Sequence, residues 1–378
     1  MAKTVILSIT GYCNYRCRHC SVSAPKGAMG EMTLEQVKDV LLQIKECGLK
    51  EIVLIGGEPM VHPHFREIIE FIQEQGLVLQ EIFTNCSLIT EEFLDWLLAK
   101  NLYPFFRTSF DLCGFHDKMR GVPGAEDKCY RAFELFKRKG FPVSCEIGVS
   151  KESLPALLPT LEKLAQCGVC FATVYPPLDC GNWKNVNKSE KLTVHELVDY
   201  YVSFIPKFMA LRLPISLCLY GLWSYAWPSG AQSFLGHTAT TLDRMAEKKA
   251  CSNYDSELSI SADGYLSPCY VLSNNDFVKA KMPNVFKQPL KEILQESAYT
   301  KVNNLTLADI VEANPECTVC EYRNLCGGGC RAEALLATGD ITKPGPMFCE
   351  MFKSGGFNRI VKAVRKGTFL QRILDLKK

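Results

Sequence analysis

The chain has 378 residues, of which 47% are hydrophobic, and its 43 basic and 41 acidic side chains leave a formal net charge of +2. This length predicts two domains, or three if one of them is small. The balanced charge and high apolar content exclude a disordered chain and do not favour a nucleic-acid binder.

The N-terminal segment predicts a strand rather than a targeting signal. The apolar run in "MAKTVILSIT" is too short for a signal peptide, and no apolar stretch is long enough to span a bilayer. We therefore expect a cytoplasmic protein with no membrane or nucleic-acid partner. In a reducing compartment, its 19 cysteines indicate metal ligands, reactive thiols or buried apolar residues more than disulfides.

Six strands, five of them followed by helices, come next in chain order. "TVILSIT" precedes three cysteines, and "TLEQVKDVLLQIKECG" predicts a helix from a Thr33 cap to Gly48. The later strands are "EIVLIGG", "LQEIFTN", "YPFFRTSFD", "FPVSCEIGVSK" and "VCFATVYPP". This alternation predicts a parallel sheet. The pattern alone leaves open whether the sheet is a barrel or a doubly wound sheet, and both architectures place their sites after the strands.

The alternation is expected to stop after Pro177. "TVHELVDYYVSFIPKFMALR" predicts a helix that is broken or kinked near Pro206, and residues 223–241 are typical of a loop. A cysteine-rich module then precedes a C-terminal helix. The predicted segments are residues 1–178, a connection over 179–250, the cysteine-rich domain over 251–352 and a helix over 353–378.

Three cysteines follow the first strand with CxxxCxxC spacing: Cys13, Cys17 and Cys20. A structural zinc site uses four protein ligands. Three thiolates suit three corners of a 4Fe–4S cluster, with one iron left open to a ligand from outside the protein. The alternative is that His19 completes a four-ligand site.

The second strand ends in "GGEP", from Gly56 to Pro59. Gly56 and Gly57 allow close approach of backbone to a ligand, and Glu58 offers a carboxylate to an amino group. GGEP alone also fits a tight turn. Together with the three cysteines, however, it resembles the radical S-adenosylmethionine (SAM) superfamily over about residues 4–176. The resemblance implies an α/β fold with a partial (β/α)6 TIM barrel.

The resemblance also implies where SAM binds. In this family the amino and carboxylate groups of SAM chelate the open iron, the segment Gly56, Gly57, Glu58 and Pro59 holds the methionyl amine, and His19 lies near the adenine. Further implied residues lining the cavity are Thr84, Asn85, Ser109 and Asp111, with Glu146 and Ser150 as contacts of the ribose or methionyl part. Each of these six also fits a strand-end cap.

Two cysteines depart from the family pattern. Cys86 stands where relatives commonly have the glycine of Thr-Asn-Gly, and Cys113 interrupts Ser-Leu-Asp-Gly as "SFDLCG". We interpret both as candidate hydrogen donors that face the cavity, against the alternative that they are inert buried thiols.

A second set of cysteines begins at residue 251. It consists of Cys251, Cys269, Cys317, Cys320, Cys326, Cys330 and Cys349. Paired zinc sites would explain CxxC knuckles, but seven thiolates are one short of two full sets. The ladder resembles the seven-cysteine SPASM extension of radical SAM enzymes, which implies two auxiliary 4Fe–4S clusters.

By the family pattern, four of these cysteines hold one cluster and three hold the other. The first set is Cys317, Cys320, Cys326 and Cys349, and the second is Cys251, Cys269 and Cys330. The fourth ligand of the second set is left open between substrate, water, Asp255 and a cysteine of the connection. The CxxC pair Cys167 and Cys170 is interpreted as structural.

The resemblance implies an enzyme that cleaves SAM to a 5′-deoxyadenosyl radical, with an electron donor such as flavodoxin or ferredoxin. Relatives with SPASM domains modify peptides or proteins by oxidation, crosslink or thioether formation, or epimerisation, and we expect a peptide or protein substrate. The barrel begins at about residue 4, without a leader-binding domain before it, which makes thioether maturation a weaker expectation. The alternatives are oxidation or decarboxylation of a small metabolite or tetrapyrrole, and a non-catalytic iron–sulfur or zinc protein.

Overall fold

A computed structural model describes residues 4–24, 29–219, 222–234 and 242–376. Its strands are β1 (Thr4–Thr10), β2 (Glu51–Gly56), β3 (Val78–Thr84), β4 (Phe105–Ser109), β5 (Val143–Gly148), β6 (Phe171–Tyr175), β7 (Ser216–Leu219), β8 (Trp223–Ala226), β9 (Ala231–Phe234), β10 (Glu257–Ile260) and β11 (Leu266–Ser267). Within the described residues they form one sheet in the order β11-β10-β1-β2-β3-β4-β5-β6-β7-β8-β9.

The first six helices follow the strands of the predicted alternation. The helices are α1 (Leu34–Glu46), α2 (Phe65–Glu74), α3 (Glu91–Ala99), α4 (His116–Arg120), α5 (Ala125–Lys139), α6 (Leu157–Gln166), α7 (Val194–Leu211), α8 (Leu242–Ala246), α9 (Asn253–Ser256), α10 (Asp276–Lys281), α11 (Leu290–Gln295), α12 (Ala298–Asn303), α13 (Leu307–Glu312), α14 (Pro315–Thr318), α15 (Arg323–Cys326), α16 (Arg331–Thr338), α17 (Pro346–Lys353) and α18 (Gly356–Leu376). Short 3₁₀ turns include Pro59–Val61 and Tyr270–Leu272.

The parallel α/β architecture is confirmed. Strands β1 to β7 pair in parallel in sequence order, and α1 begins with the predicted Thr33 cap, whose hydroxyl accepts from the Gln36 backbone N–H. Buried Val, Ile and Leu side chains on one face of the sheet pack against the helices, as expected for parallel strands covered by crossover helices.

The sheet is strongly curved. Glu257 on β10 interacts electrostatically with Arg107 on β4, although these strands are four places apart in the sheet order. In a flat sheet with neighbouring strands about 4.8 Å apart, they would be about 19 Å from each other. The polar inner face therefore lines the concave side of a partial barrel.

Two expectations for the connection were wrong, and a third was wrong in part. The alternation does not stop after Pro177, because β7 continues the sheet in parallel next to β6. Residues 223–234 form the antiparallel strands β8 and β9 rather than a loop, while residues 235–241 lie outside the described residues. The helix around Pro206 is not broken, because α7 continues through this buried proline, while a kink at Pro206 stays a prediction.

The cysteine-rich region also contributes to the same sheet. β10 pairs in parallel with β1, and β11 pairs with β10. The C-terminal helix α18 lies along α7, where a Cβ at Gly367 would come within 2.4 Å of the Met209 sulfur. Strand pairing thus crosses both predicted segment boundaries, at residues 178 and 251.

Candidate active site

The three-cysteine loop is held by backbone hydrogen bonds from several elements. The Arg16 and Arg18 amides donate to the carbonyls of Arg120 and Met119, at distances of 3.1 and 2.8 Å. On the other side, the Asn182 side chain donates to the Cys17 carbonyl at 2.9 Å. The loop is therefore a fixed part of the strand-end edge, and its thiols are positioned by the fold.

The three thiols lie close enough to influence one another. Burial raises the pKa of Cys13 to about 12, with further raising by Glu58, Cys17 and Cys20. Burial likewise raises the pKa of Cys17, while Arg120 lowers it. Among the described residues, no three His, Cys, Asp or Glu side chains are grouped for a single metal ion. Thiolate ligands of a four-iron cluster are spread more widely, so this soft donor set fits a cluster.

The GGEP segment packs directly on the loop backbone. A Cβ at Gly56 would lie 2.4 Å from the Thr10 carbonyl oxygen, and one at Gly57 would lie 2.1 Å from that of Tyr12. The Glu58 amide donates to the Tyr12 carbonyl at 2.9 Å. Because any side chain would push these backbones apart, the two glycines are required by this contact. Pro59 then begins a 3₁₀ turn.

Glu58 is buried, and its carboxylate accepts three hydrogen bonds within the chain. The donors are the Met60 amide at 3.2 Å, the Thr84 hydroxyl at 3.0 Å and the Asn85 amide at 2.7 Å. Burial raises the pKa of Glu58 to about 7, although these hydrogen bonds lower it. The side chain joins the ends of β2 and β3, and a direct contact of its carboxylate with SAM stays a prediction.

Asn85 links the end of β3 to the cysteine loop. Its side-chain amide donates to Asn14 at 2.8 Å and lies 3.8 Å from the Cys13 sulfur. The Thr84 hydroxyl donates to Glu58 and accepts a hydrogen bond from the Cys86 amide. The structure thus brings these two predicted residues to the thiols.

Asp111 and His19 belong to a buried polar group. The Arg120 Nε lies 2.8 Å from the Asp111 carboxylate, and His19 Nε2 lies 3.5 Å from it. The Arg120 guanidinium also donates towards the Cys17 sulfur at 3.7 Å. Burial lowers the pKa of His19 to about 4, so this imidazole is neutral near pH 7.

Sequence reasoning missed Arg120 and its neighbour His116. The Asp111 amide donates to His116 Nδ1 at 3.0 Å. His116 and Arg120 are the first and last residues of α4, four positions apart. The signal was available in "FHDKMRG": a histidine and an arginine at i and i+4, on one face of a short helix directly after a functional strand end.

Cys86 and Cys113, which the sequence predicted to face the cavity, have partners on the helix α5. Cys86 is buried in the hydrophobic core, where its hydrogen bond to Cys129 lowers the pKa of Cys129. The Cys113 sulfur lies 3.0 Å from the Tyr130 hydroxyl on α5, on the helical side of the sheet. Cys86 has a positive φ of 66°, so the alternation of β3 does not extend to it, and no sequence pattern fixed the side-chain directions beyond the strand ends.

Three other predicted residues have structural partners. Glu146 accepts from Arg107 at 3.0 Å and from Thr173 at 3.1 Å on the inner face. Ser150 and Ser153 hydrogen bond to each other at 3.0 Å in a buried turn. Ser109 ends β4 opposite Glu146. The cap alternative describes Ser150 well, and SAM contacts of all three stay predictions.

The auxiliary cysteines form two groups in space. Cys317, Cys320, Cys326 and Cys349 line one cavity, together with Lys353 and Arg323; we call them the outer set. Cys251, Cys269 and Cys330 form the second group, which we call the inner set. Burial is the main cause that raises the pKa of Cys251 and of Cys269. Cys330 raises both values further, and Cys251 also raises that of Cys269. Asp255 is exposed on α9, and no contact places it at the inner set. The CxxC pair is apart from both: the Cys170 sulfur donates to the Val143 carbonyl.

A buried arginine lies between these sets. Arg331 donates to the carbonyls of Gly328, Gly329, Ile341 and Lys343. Burial lowers its pKa, while nearby thiols of both sets raise it. It fixes the glycine-rich turn that carries Cys326 and Cys330, so the two sets share one rigid support.

Two sequence profiles match this chain. The Radical SAM superfamily matches residues 7–164, and the SPASM iron–sulfur cluster-binding domain matches residues 251–321. The chain is 24% identical over 349 residues to an AdoMet-dependent heme synthase of Methanosarcina barkeri, covering 91% of this chain and 95% of the relative. It is 23% identical to a PqqA peptide cyclase of Granulibacter bethesdensis, covering 90% and 86%.

The fold is also similar to that of a solved structure. SuiB of Streptococcus suis, bound to its precursor peptide SuiA, superposes with a TM-score of 0.71 at 15% identity. The superposition covers 93% of this chain and 76% of SuiB. In the described part of the chain, no helix has the length and apolar character needed to cross a membrane.

Proposed function

The chain is a radical SAM enzyme with a C-terminal SPASM domain, and we propose that it modifies a peptide or protein by hydrogen abstraction with the help of two auxiliary clusters. When bound, the cluster at Cys13, Cys17 and Cys20 supplies the electron that cleaves SAM to methionine and a 5′-deoxyadenosyl radical. The observation that carries this proposal is the grouping of ten cysteines into one open set beside GGEP, an inner set of three and an outer set of four.

The residues around the loop would orient SAM and keep water away. Gly56 and Gly57 bring backbone against the loop. Glu58 accepts a hydrogen bond from the backbone amide of Asn85, whose side chain lies beside Cys13. The buried pair Arg120 and Asp111 closes the other side of the site. Such a rigid, dry surround protects a reactive intermediate from side reactions.

The charge of the inner face supports a peptide as substrate. Arg107 is already paired with Glu81 at 2.9 Å and with Glu146 at 3.0 Å, and Glu257 adds a third carboxylate nearby. A cavity with more carboxylates than cations favours amide and ammonium donors over a substrate that carries carboxylates itself. This charge balance supports the proposal of a peptide over an anionic tetrapyrrole.

A tetrapyrrole is the second candidate, because one observation favours it. The similarity to the M. barkeri heme synthase extends over 95% of that protein, so the arrangement of both domains is shared. For such a substrate, the reaction would be an oxidative decarboxylation of a side chain.

The test is anaerobic reconstitution with iron and sulfide, followed by dithionite and SAM. About twelve irons per chain and formation of 5′-deoxyadenosine are expected for three 4Fe–4S clusters. Cys13→Ala should abolish SAM cleavage, whereas Cys326→Ala should retain cleavage and lose the finished product. Zinc in place of iron, with no SAM cleavage, would contradict the proposal.

The substrate is then identified by mass spectrometry. The enzyme, with reduced flavodoxin or ferredoxin as donor, is incubated separately with peptides encoded by neighbouring genes and with iron-coproporphyrin. A modified peptide, whether oxidised, crosslinked or epimerised, supports the first candidate. Loss of carbon dioxide from the porphyrin side chains supports the second and overturns the first.

A further inference from the structure

Tyr270 connects the inner cysteine set to the SAM site. It directly follows Cys269 and begins the 3₁₀ turn Tyr270–Leu272. Its hydroxyl donates to the carbonyl oxygen of Gly56 at 2.8 Å. Gly56 is the first residue of GGEP, so a side chain adjacent to an auxiliary ligand reaches the segment expected to hold the methionyl amine of SAM.

The Tyr270 ring also packs beside the loop thiols. A small apolar cluster of Val22, Ala24, Met29 and Ala262 is covered by Cys13, Cys20 and Tyr270. Two of the three loop cysteines therefore share a packing surface with the residue next to Cys269. Ring and hydroxyl contact different parts of the SAM site.

A second contact comes from the same segment. The Asn274 side-chain amide donates to the Val22 carbonyl at 3.0 Å, two residues after Cys20. At the other end, the Ser267 hydroxyl donates to the Cys269 carbonyl at 2.6 Å. We call residues 269–274 the strap, because it is fixed at Cys269 and holds both GGEP and the cysteine loop.

We propose that the strap is a positioning element through which the inner set orders the SAM site. Binding of a cluster at Cys251, Cys269 and Cys330 restrains Cys269, and therefore the adjacent Tyr270. The Gly56 carbonyl and the loop from Cys13 to Cys20 then lose conformational freedom before SAM arrives, which lowers the entropic cost of binding SAM. The auxiliary cluster thus has an architectural role in addition to any electron transfer.

The first test needs no cluster. In the iron-free protein, alkylation rates of Cys13 and Cys20 are measured by mass spectrometry for wild type and Tyr270→Phe, and for Tyr270→Phe with Asn274→Ala. Loss of one hydrogen bond should raise the rates about fivefold, and loss of both should raise them further. The control is Tyr265→Phe, since Tyr265 lies between β10 and β11, just before the strap, and its backbone amide donates to the Ser261 hydroxyl. Equal rates in all variants would overturn the proposal.

The second test uses the reconstituted enzyme. SAM affinity is followed through the change that SAM causes in the EPR spectrum of the reduced cluster. Tyr270→Phe should weaken SAM binding about fivefold, and Cys330→Ala should weaken it more than Cys320→Ala does. Equal effects of the two cysteine variants would contradict the coupling.

The two tests separate this proposal from the proposed function. If wild type does not cleave SAM, the function is wrong, but the alkylation rates still report on the strap. If SAM is cleaved and Tyr270→Phe matches wild type in both assays, only the strap proposal fails.

Discussion

Glu58 shows how a residue recognised by its motif acquires a role that the motif does not state. Its carboxylate is buried and accepts hydrogen bonds from Met60, Thr84 and Asn85. A buried acceptor that is fully paired stabilises the fold, whereas leaving the donors unpaired costs free energy. Glu58 therefore links the ends of β2 and β3 in addition to the contact with SAM that its motif predicts.

Replacing Glu58 with Gln should destabilise the iron-free protein by about 1–3 kcal/mol, because an amide NH₂ would face a backbone donor. Urea unfolding measures the change. Glu67→Gln is the matched control, since the Glu67 side chain is exposed and its carboxylate lies 2.8 Å from His64 Nδ1 at the surface. If both variants unfold at the same urea concentration, the hydrogen bonds of Glu58 do not contribute to stability.

The pH dependence of stability should carry the signature of Glu58. Its folded-state pKa of about 7 is above the ordinary value of 4.5, so the folded protein binds more protons between these values. The contribution of this proton uptake to the free energy of unfolding is therefore complete below about pH 4.5, and it is lost as the pH rises through 7. Urea titrations of the iron-free protein at several pH values should show this decline, and Glu58→Gln should remove it.

The ion pair of Arg120 and Asp111 is the other residue-scale feature with a clear consequence. Arg120→Met should destabilise the protein by about 3–5 kcal/mol, because it leaves the Asp111 carboxylate buried without its partner. Adding Asp111→Asn should restore most of this loss, as a double-mutant cycle by urea unfolding would show. Arg18→Met, which breaks the half-exposed pair with Glu190, should cost at most about 1 kcal/mol. Additive losses in the cycle would contradict a direct pair.

At the scale of elements, the contact between β2 and the cysteine loop decides the geometry of the site. The register between β1 and β2 shifts between Ser8 and Thr10, which places Thr10 opposite Gly56. The Gly57 amide then donates to the Thr10 carbonyl at 2.8 Å. A local irregularity in one strand pair thus sets the distance between the loop and GGEP.

Gly57→Ala should separate these two segments, because its Cβ would lie 2.1 Å from the Tyr12 oxygen. We expect a loss of about 1–3 kcal/mol in stability from overpacking and a loss of the EPR signal of the SAM-binding cluster. Gly48→Ala is the comparison, since open space surrounds Gly48 and only its positive φ is strained. Normal iron content and EPR signal in Gly57→Ala would show that the loop adapts.

At the scale of the whole molecule, one sheet connects segments that the sequence assigned to separate domains. β10 covers the edge of β1, and β7 covers the edge of β6. Unpaired edges of parallel strands are prone to aggregation. The first 178 residues are therefore not expected to behave as an independent unit.

A fragment of residues 1–178 should aggregate or be degraded rapidly by protease, while the full chain should resist. Calorimetry of the full iron-free chain should give one cooperative transition, since the sheet is continuous. The control is the full chain cleaved once within the connection, with the two pieces left associated. Two separate transitions in the full chain would show that the domains fold independently.

The sequence determined the strands β1 to β6 and the helices between them, while the cysteine ligand sets are a prediction from the family resemblance. These follow from local patterns: apolar periodicity, a Thr33 cap and short cysteine spacings act over a few residues. Family resemblance then indicated the SAM site from Cys13, Cys17, Cys20 and GGEP. The local patterns and the motifs that carry the resemblance both lie in residues close together in the sequence.

Only the tertiary structure decided where Cys86 and Cys113 point, that β7 to β11 extend the sheet, and that Tyr270 reaches Gly56. Each depends on contacts between residues far apart in sequence, such as the 214 positions between Gly56 and Tyr270. The buried pair of Arg120 and Asp111 likewise needs α4 to fold back over the loop. Local propensity carries no information about such partners, because strand pairing and burial are set by the packing of the whole chain.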